Sequence, residues 1–180
     1  MKNFLRIGFG IDVIPALREL AVNADLWNQN KLRTGHPESP HKQVDDIWLW
    51  FNKIHDDPNK TIDDIQTYPY PGWEKLRTLR EMTLNLIRRV DGVQLGRVIV
   101  TRMRPGSIIT PHADEGAPSM FYTRYQIALQ SQPGALFTIG DETVNFSGGE
   151  AWWINNRERH GVVNNSAEDR IVCIVDIKSA

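Results

Sequence analysis

Beyond Asp91-Gly92, no stretch of this chain runs far before a turn residue stops it. From Gly96 onward, eight short extended runs follow one another: Arg97 to Met103, Ser107 to Asp114, Met120 to Gln130, Ala135 to Ile139, Glu142 to Phe146, Ala151 to Ile154, Gly161 to Asn164 and Arg170 to Lys178. Gly, Pro, Asn and Asp punctuate them, which is the pattern of short strands joined by turns. Strands this short cannot each bury an apolar face alone, so they must pack as two sheets. The spacing predicts a mostly β fold, a double-sheet jelly roll with helical decoration.

The first half of the chain reads differently. Asp12 is placed to cap a helix over Val13 to Ala21, whose apolar positions Ile14, Leu17 and Ala21 follow helical spacing. Residues 28–42 and 55–72 read as loops, and Val44 to Phe51 as a short apolar strand or buried segment. Residues 73–90 give the clearest helix, with Trp73, Leu76, Leu79, Thr83, Leu86, Ile87 and Val90 recurring at three and four. At 180 residues the chain fits one domain, residues 1–95 forming a helical and loop portion packed on a core of residues 96–180.

The chemistry concentrates in the second half. In a strand, residues two apart share a face, roughly 7 Å apart. His112 and Asp114 therefore project into one space. His160 lies 46 residues beyond Asp114 and must come from another strand or loop. Two imidazoles and one carboxylate on one side of a metal leave the opposite positions open, the arrangement of non-haem Fe(II) oxygenases. Arg170 heads an apolar run, Ile171-Val172-Cys173-Ile174-Val175. A guanidinium there needs an anion, and a co-substrate carboxylate held bidentately supplies one. Tyr122, Arg124, Gln126 and Ala128 alternate onto one face of their strand. The opposite face, with Tyr125, Ile127 and Leu129, is the apolar layer. Arg124 inside a barrel likewise needs an anion.

His160-Gly161-Val162-Val163-Asn164 followed by Asp169-Arg170-Ile171-Val172-Cys173-Ile174-Val175-Asp176-Ile177 resembles the C-terminal signature of the aspartyl/asparaginyl β-hydroxylase family. Pro111-His112 through Arg124 and Gln126 resembles its earlier block. The resemblance covers about residues 97–178. It implies that His112 and His160 bind iron, that Arg170 grips the distal carboxylate of 2-oxoglutarate, and that Arg124 sits near the other end of that diacid. Two positions depart from the family pattern. Gln126 stands where the family has a second His, and Asp114 supplies an acidic third ligand that some members lack. The implied activity is hydroxylation of an aliphatic C–H by dioxygen, on an Asp- or Asn-like side chain of an amino acid or peptide.

Two other readings compete. Gly106 lies six residues before His112 and Asn164 four after His160, a cupin-like spacing that suits a metal enzyme or binding module without 2-oxoglutarate. Arg170 discriminates, since such a site has no need of a carboxylate clamp. An oxygenase acting on nucleobases would need a basic groove. Only residues 75–89 offer one, and the net charge of −1 gives no pull toward nucleic acid or an anionic membrane. No apolar run approaches a membrane span. The single cysteine, Cys173, reads as a packed thiol, and a reducing cytoplasm, where Fe(II) persists, is the expected compartment. His36 and His41 read as solvent-exposed loop histidines, His55 as a surface residue, and the Tyr68 to Trp73 segment as aromatic packing.

Overall fold

The structure, a computed structural model, describes residues 2–180. In chain order its elements are β1 (Phe4–Gly8), α1 (Ile14–Val22), β2 (Val44–Asn52), α2 (Pro58–Asp63), β3 (Thr67–Pro69), α3 (Pro71–Lys75), α4 (Arg77–Arg89), β4 (Gly92–Met103) and β5 (Ile108–His112). Then come α5 (Ala117–Phe121), β6 (Thr123–Gln130), β7 (Ala135–Ile139), β8 (Glu142–Val144), β9 (Ala151–Ile154), β10 (His160–Asn164) and β11 (Arg170–Ser179). A seven-stranded sheet runs β1-β9-β6-β11-β4-β2-β3 and a four-stranded sheet runs β5-β10-β7-β8. All pairings are antiparallel.

The large sheet is covered on both faces, so its strands are apolar on both. Val98, Val100, Tyr125, Ile127, Leu129, Cys173, Val175 and Ile177 lie beneath Ala16 and Leu20 of α1 and Leu79, Met82 and Leu86 of α4. Each such side chain fully buried contributes about 1.5–3 kcal/mol. The other face meets the small sheet through Phe4, Phe137, Phe146, Trp152, Ile154 and Val162. Burial therefore selects the alternation in β6 and β11 that the sequence predicts.

Three expectations shift. The N-terminal portion is more than decoration: β1 pairs with β9, and β2 pairs with β4, so both extend the large sheet. The helix expected over residues 73–90 breaks at Leu76, which is fully buried. There α3 is pressed against β2, with a Cβ on Gly72 meeting the Trp48 carbonyl at 3.0 Å. Glu19 of α1 then caps the new start of α4, accepting from the Thr78 amide at 2.9 Å and its hydroxyl at 2.9 Å. Finally, Met120 and Phe121 end the short helix α5 rather than begin β6. The 55–72 loop also holds α2 and β3. No helix among the described residues is long and apolar enough to cross a membrane.

Candidate metal centre

His112 ends β5 and His160 begins β10, and the two are direct cross-strand partners. Pro111 has no N–H to give the ladder, and the register slips between His160 and Val162 beside it. Gly161 fits this irregularity because a Cβ there would meet the Ile109 carbonyl at 3.1 Å and the Pro111 ring at 3.2 Å. The two imidazoles end with ring centroids 4.4 Å apart.

Their tautomers follow from their hydrogen bonds. His112 Nδ1 donates to the Thr110 carbonyl at 2.8 Å and His160 Nδ1 to the Glu158 carbonyl at 2.9 Å. In the neutral imidazole each Nε2 then carries the lone pair that can ligate a metal. Both Nε2 atoms face Asp114 Oδ1, at 3.5 Å from His112 and 4.0 Å from His160. His112 Nε2 is buried without a hydrogen-bond partner. The three ligand atoms lie within 4.8 Å of one another, a cluster of the kind that holds one metal ion. Two imidazole nitrogens and a carboxylate oxygen converging on one point form a donor set that fits a metal cation.

Asp114 reaches this point from a loop, since β5 stops at His112. Its amide donates to the Asn156 carbonyl at 3.0 Å, and its Oδ2 accepts from Asn156 Nδ2 at 2.9 Å and from Arg124 Nη1. Burial alone would raise its pKa. The Arg124 charge, together with His112 and Asn156, outweighs burial and holds the carboxyl well below the usual range. Burial also lowers the His160 pKa, favouring the neutral imidazole that a metal requires.

The remaining expected residues divide. Arg170 is 2% exposed and points between the sheets, with Phe137 and Phe146 each 5.8 Å from its guanidinium carbon. Its polar contact is Gln126 Oε1, at 3.3 Å. Among the described residues it has no carboxylate partner, neither Asp169 nor Glu168, and burial lowers its pKa to about 10. Gln126 is also buried and shares with Arg170, His112 and His160 the lining of a narrow inner cavity of about 30 Å³. Arg124 lines that cavity too, but its anions belong to the protein: Asp176 accepts from Nε at 2.7 Å and from Nη2 at 2.8 Å, and Asp114 takes Nη1. Tyr122 lies outside the cavity. Its hydroxyl donates to the Ile65 carbonyl at 2.7 Å and accepts from Gln94 at 3.0 Å.

His41 corrects the sequence reading. It is half-buried rather than solvent-exposed, stacked edge-on against His112 with ring centroids 4.9 Å apart. Its Nδ1 has no hydrogen-bond partner. Burial first, then the Arg33 and His112 charges, push its pKa well below the ordinary value. His41 and Arg33, from the polar 28–42 loop, wall both the inner cavity and an outer cleft of about 400 Å³ that reaches His112 and Asp114. His36 is exposed, as expected. Asn156 was not foreseen, because an asparagine after a strand carries no distinguishing pattern. Among the basic helix residues, Arg80 pairs with Glu74, Arg88 with Asn85, and Arg89 with the Ile7 carbonyl.

Residues 72–180 match the family described as Aspartyl/Asparaginyl beta-hydroxylase. The chain belongs to that family. It is a hydroxylase of the kind that works with Fe(II) and 2-oxoglutarate. No curated protein matches the sequence. Among solved structures it is similar to a prolyl hydroxylase from Trichoplax adhaerens in complex with a hypoxia inducible factor peptide fragment, at 12% identity and a TM-score of 0.64, covering 98% of this chain and 82% of that one. It is also similar to a 2OG-Fe(II) oxygenase family oxidoreductase from Burkholderia pseudomallei, at 16% identity and a TM-score of 0.58, covering 97% and 82%. A viral collagen prolyl hydroxylase from Paramecium Bursaria Chlorella virus-1 aligns at 11% identity and a TM-score of 0.54, covering 99% and 96%. At these identities the likeness establishes the fold, an oxygenase jelly roll.

Proposed function

We propose that this hydroxylase holds Fe(II) with His112, Asp114 and His160 and grips the distal carboxylate of 2-oxoglutarate with Arg170. One observation carries the reading. Three candidate ligand atoms converge beside a cavity that also contains a fully buried guanidinium without a counter-anion. An uncompensated buried charge costs several kcal/mol, and a dicarboxylate entering that cavity relieves the cost. When bound, the iron supplies the oxidation of a C–H bond by dioxygen.

The chain's own residues orient and shield. Gln126 holds Arg170 in place through its amide oxygen. Phe137, Val162, Val172 and Ile174 keep the inner cavity apolar, which strengthens a charge-assisted bond made there. The cavity is narrower than a diacid, so 2-oxoglutarate enters as the Arg33–His41 loop moves aside. The substrate occupies the outer cleft, where Arg33, Arg97 and His41 suit a carboxylate or amide group. This favours an Asp- or Asn-like side chain, presented by a free amino acid or a peptide.

The test is conversion of 2-oxoglutarate to succinate by protein loaded anaerobically with Fe(II) and then exposed to air. Turnover is expected with wild type and is abolished by His112→Ala or Asp114→Ala. Wild-type protein that fails to bind 2-oxoglutarate at millimolar concentration sinks the reading.

A further inference from the structure

We propose that Asp176 and Arg124 form a chain of fixed charges that aims Asp114 at the metal, so that Arg124 serves the metal's carboxylate rather than the co-substrate. The inference rests on the reading that His112, Asp114 and His160 hold a metal ion.

Arg124 and Asp176 are cross-strand partners on β6 and β11. Asp176 is 2% exposed and grips the Nε–Nη2 edge of Arg124 at 2.7 and 2.8 Å. A guanidinium is rigid and planar, so an edge held this way leaves Nη1 one direction to point. That direction is Asp114 Oδ2. Asn156 Nδ2 donates to the same oxygen at 2.9 Å, so two donors occupy Oδ2 and Oδ1 alone is left toward the imidazoles. Asp114 is thereby presented through one oxygen, in one orientation.

The charges point the same way. Arg124 alone would neutralise Asp114 and blunt its attraction for a dication. Asp176 takes up the guanidinium charge, so that Arg124 does not simply cancel Asp114. Asp176 and Arg124 are positioning residues, acting through Asp114. Outer partners that orient metal-bound carboxylates are commonly worth 10–100-fold in metal affinity.

Metal-free protein titrated with Co(II), followed by calorimetry and the visible absorption of the ion, tests this. Asp176→Asn is expected to raise the Co(II) Kd roughly 10–100-fold and to change the visible spectrum, with Asp176→Glu partly restoring both. In an Asp114→Ala background, Asp176→Asn is expected to change neither further, which a merely structural role would not produce. Should the single variant fold poorly, Arg124→Gln/Asp176→Asn removes both buried charges together and is expected to weaken Co(II) binding to the same degree. Unchanged Co(II) affinity and spectrum in Asp176→Asn and the double variant, with weakened 2-oxoglutarate binding, overturn the proposal and return Arg124 to the co-substrate. So does an equal effect of Asp176→Asn with and without Asp114. Wild type that binds Co(II) but not 2-oxoglutarate overturns only the proposed activity. Wild type that binds no Co(II) overturns both.

Discussion

Arg124 and Arg170 enter the same interior from neighbouring strands, β6 and β11, and both line the inner cavity. Arg124 meets two carboxylates there, Asp114 and Asp176, whose charges outweigh burial and raise its pKa. Arg170 meets one neutral amide oxygen and two aromatic rings, and burial lowers its pKa to about 10. Each desolvation penalty must be offset. For Arg124 the fold offsets it. For Arg170 the fold supplies one amide oxygen and two ring faces, and no carboxylate among the described residues. On the proposed function, the missing anion is the carboxylate of 2-oxoglutarate.

The largest effect that tests this contrast comes from Arg124→Met. It takes from Asp114 and Asp176 the guanidinium that binds both. Breaking a buried pair from one side costs about 3–5 kcal/mol, so the metal-free protein should lose roughly 6–20 °C in Tm. Thermal denaturation followed by circular dichroism measures it. A loss below about 1 kcal/mol would mean that the two carboxylates do not depend on Arg124.

Arg170→Met should do the opposite. It removes a charge the fold never compensates, so the metal-free Tm should hold or rise. The cost appears in the ligand: losing one partner of a desolvated charge pair is worth about 2–5 kcal/mol, at least about 30-fold in the Kd for 2-oxoglutarate. If Arg170→Met instead destabilises the apo-protein as much as Arg124→Met does, the contrast between the two arginines is void.

The contrast also shows how far the sequence can be read. The inward face of β6 was legible because strand periodicity assigns faces without knowledge of the partners, and His112, His160 and Arg170 stood out as candidates through the family-like motifs that contain them. The Arg124–Asp176 pairing was not, since it depends on the register that sets residue 124 opposite residue 176. Alternation could say only that Arg124 needed an anion. Asp114 was read as a strand neighbour of His112, yet it arrives from a loop fixed by Asn156. Asn156 and His41 lie outside the strands, where no period constrains a side chain. The breakdown of the 73–90 helix at Leu76 has the same origin: its apolar spacing is helical throughout, and tertiary packing of α3 on β2 decides the break.

The smallest effect concerns His41, a half-buried group whose Nδ1 is unmatched, and it is read through pH. Burial holds the folded pKa of His41 well below normal, and burial lowers that of His160 as well. In the unfolded chain each titrates near 6.5. Below that pH the unfolded chain takes up protons that the folded chain refuses, so stability of the metal-free protein falls as pH drops. Each such histidine contributes up to about 1.4 kcal/mol per pH unit. Asp114 does not contribute to this window. Its depressed pKa stabilises the fold above about 3.9, and that contribution is lost only as pH falls further, toward the folded value. His41→Leu removes one of the two refusals and the orphaned Nδ1 together. At pH 7.5 the gain should be about 1 kcal/mol. At pH 5.5 it should be larger by about 1.4 kcal/mol. Urea unfolding of both proteins at the two pH values gives the comparison. Parallel pH profiles for wild type and His41→Leu would show that His41 titrates freely in the folded protein, and the loop would then not close over His112.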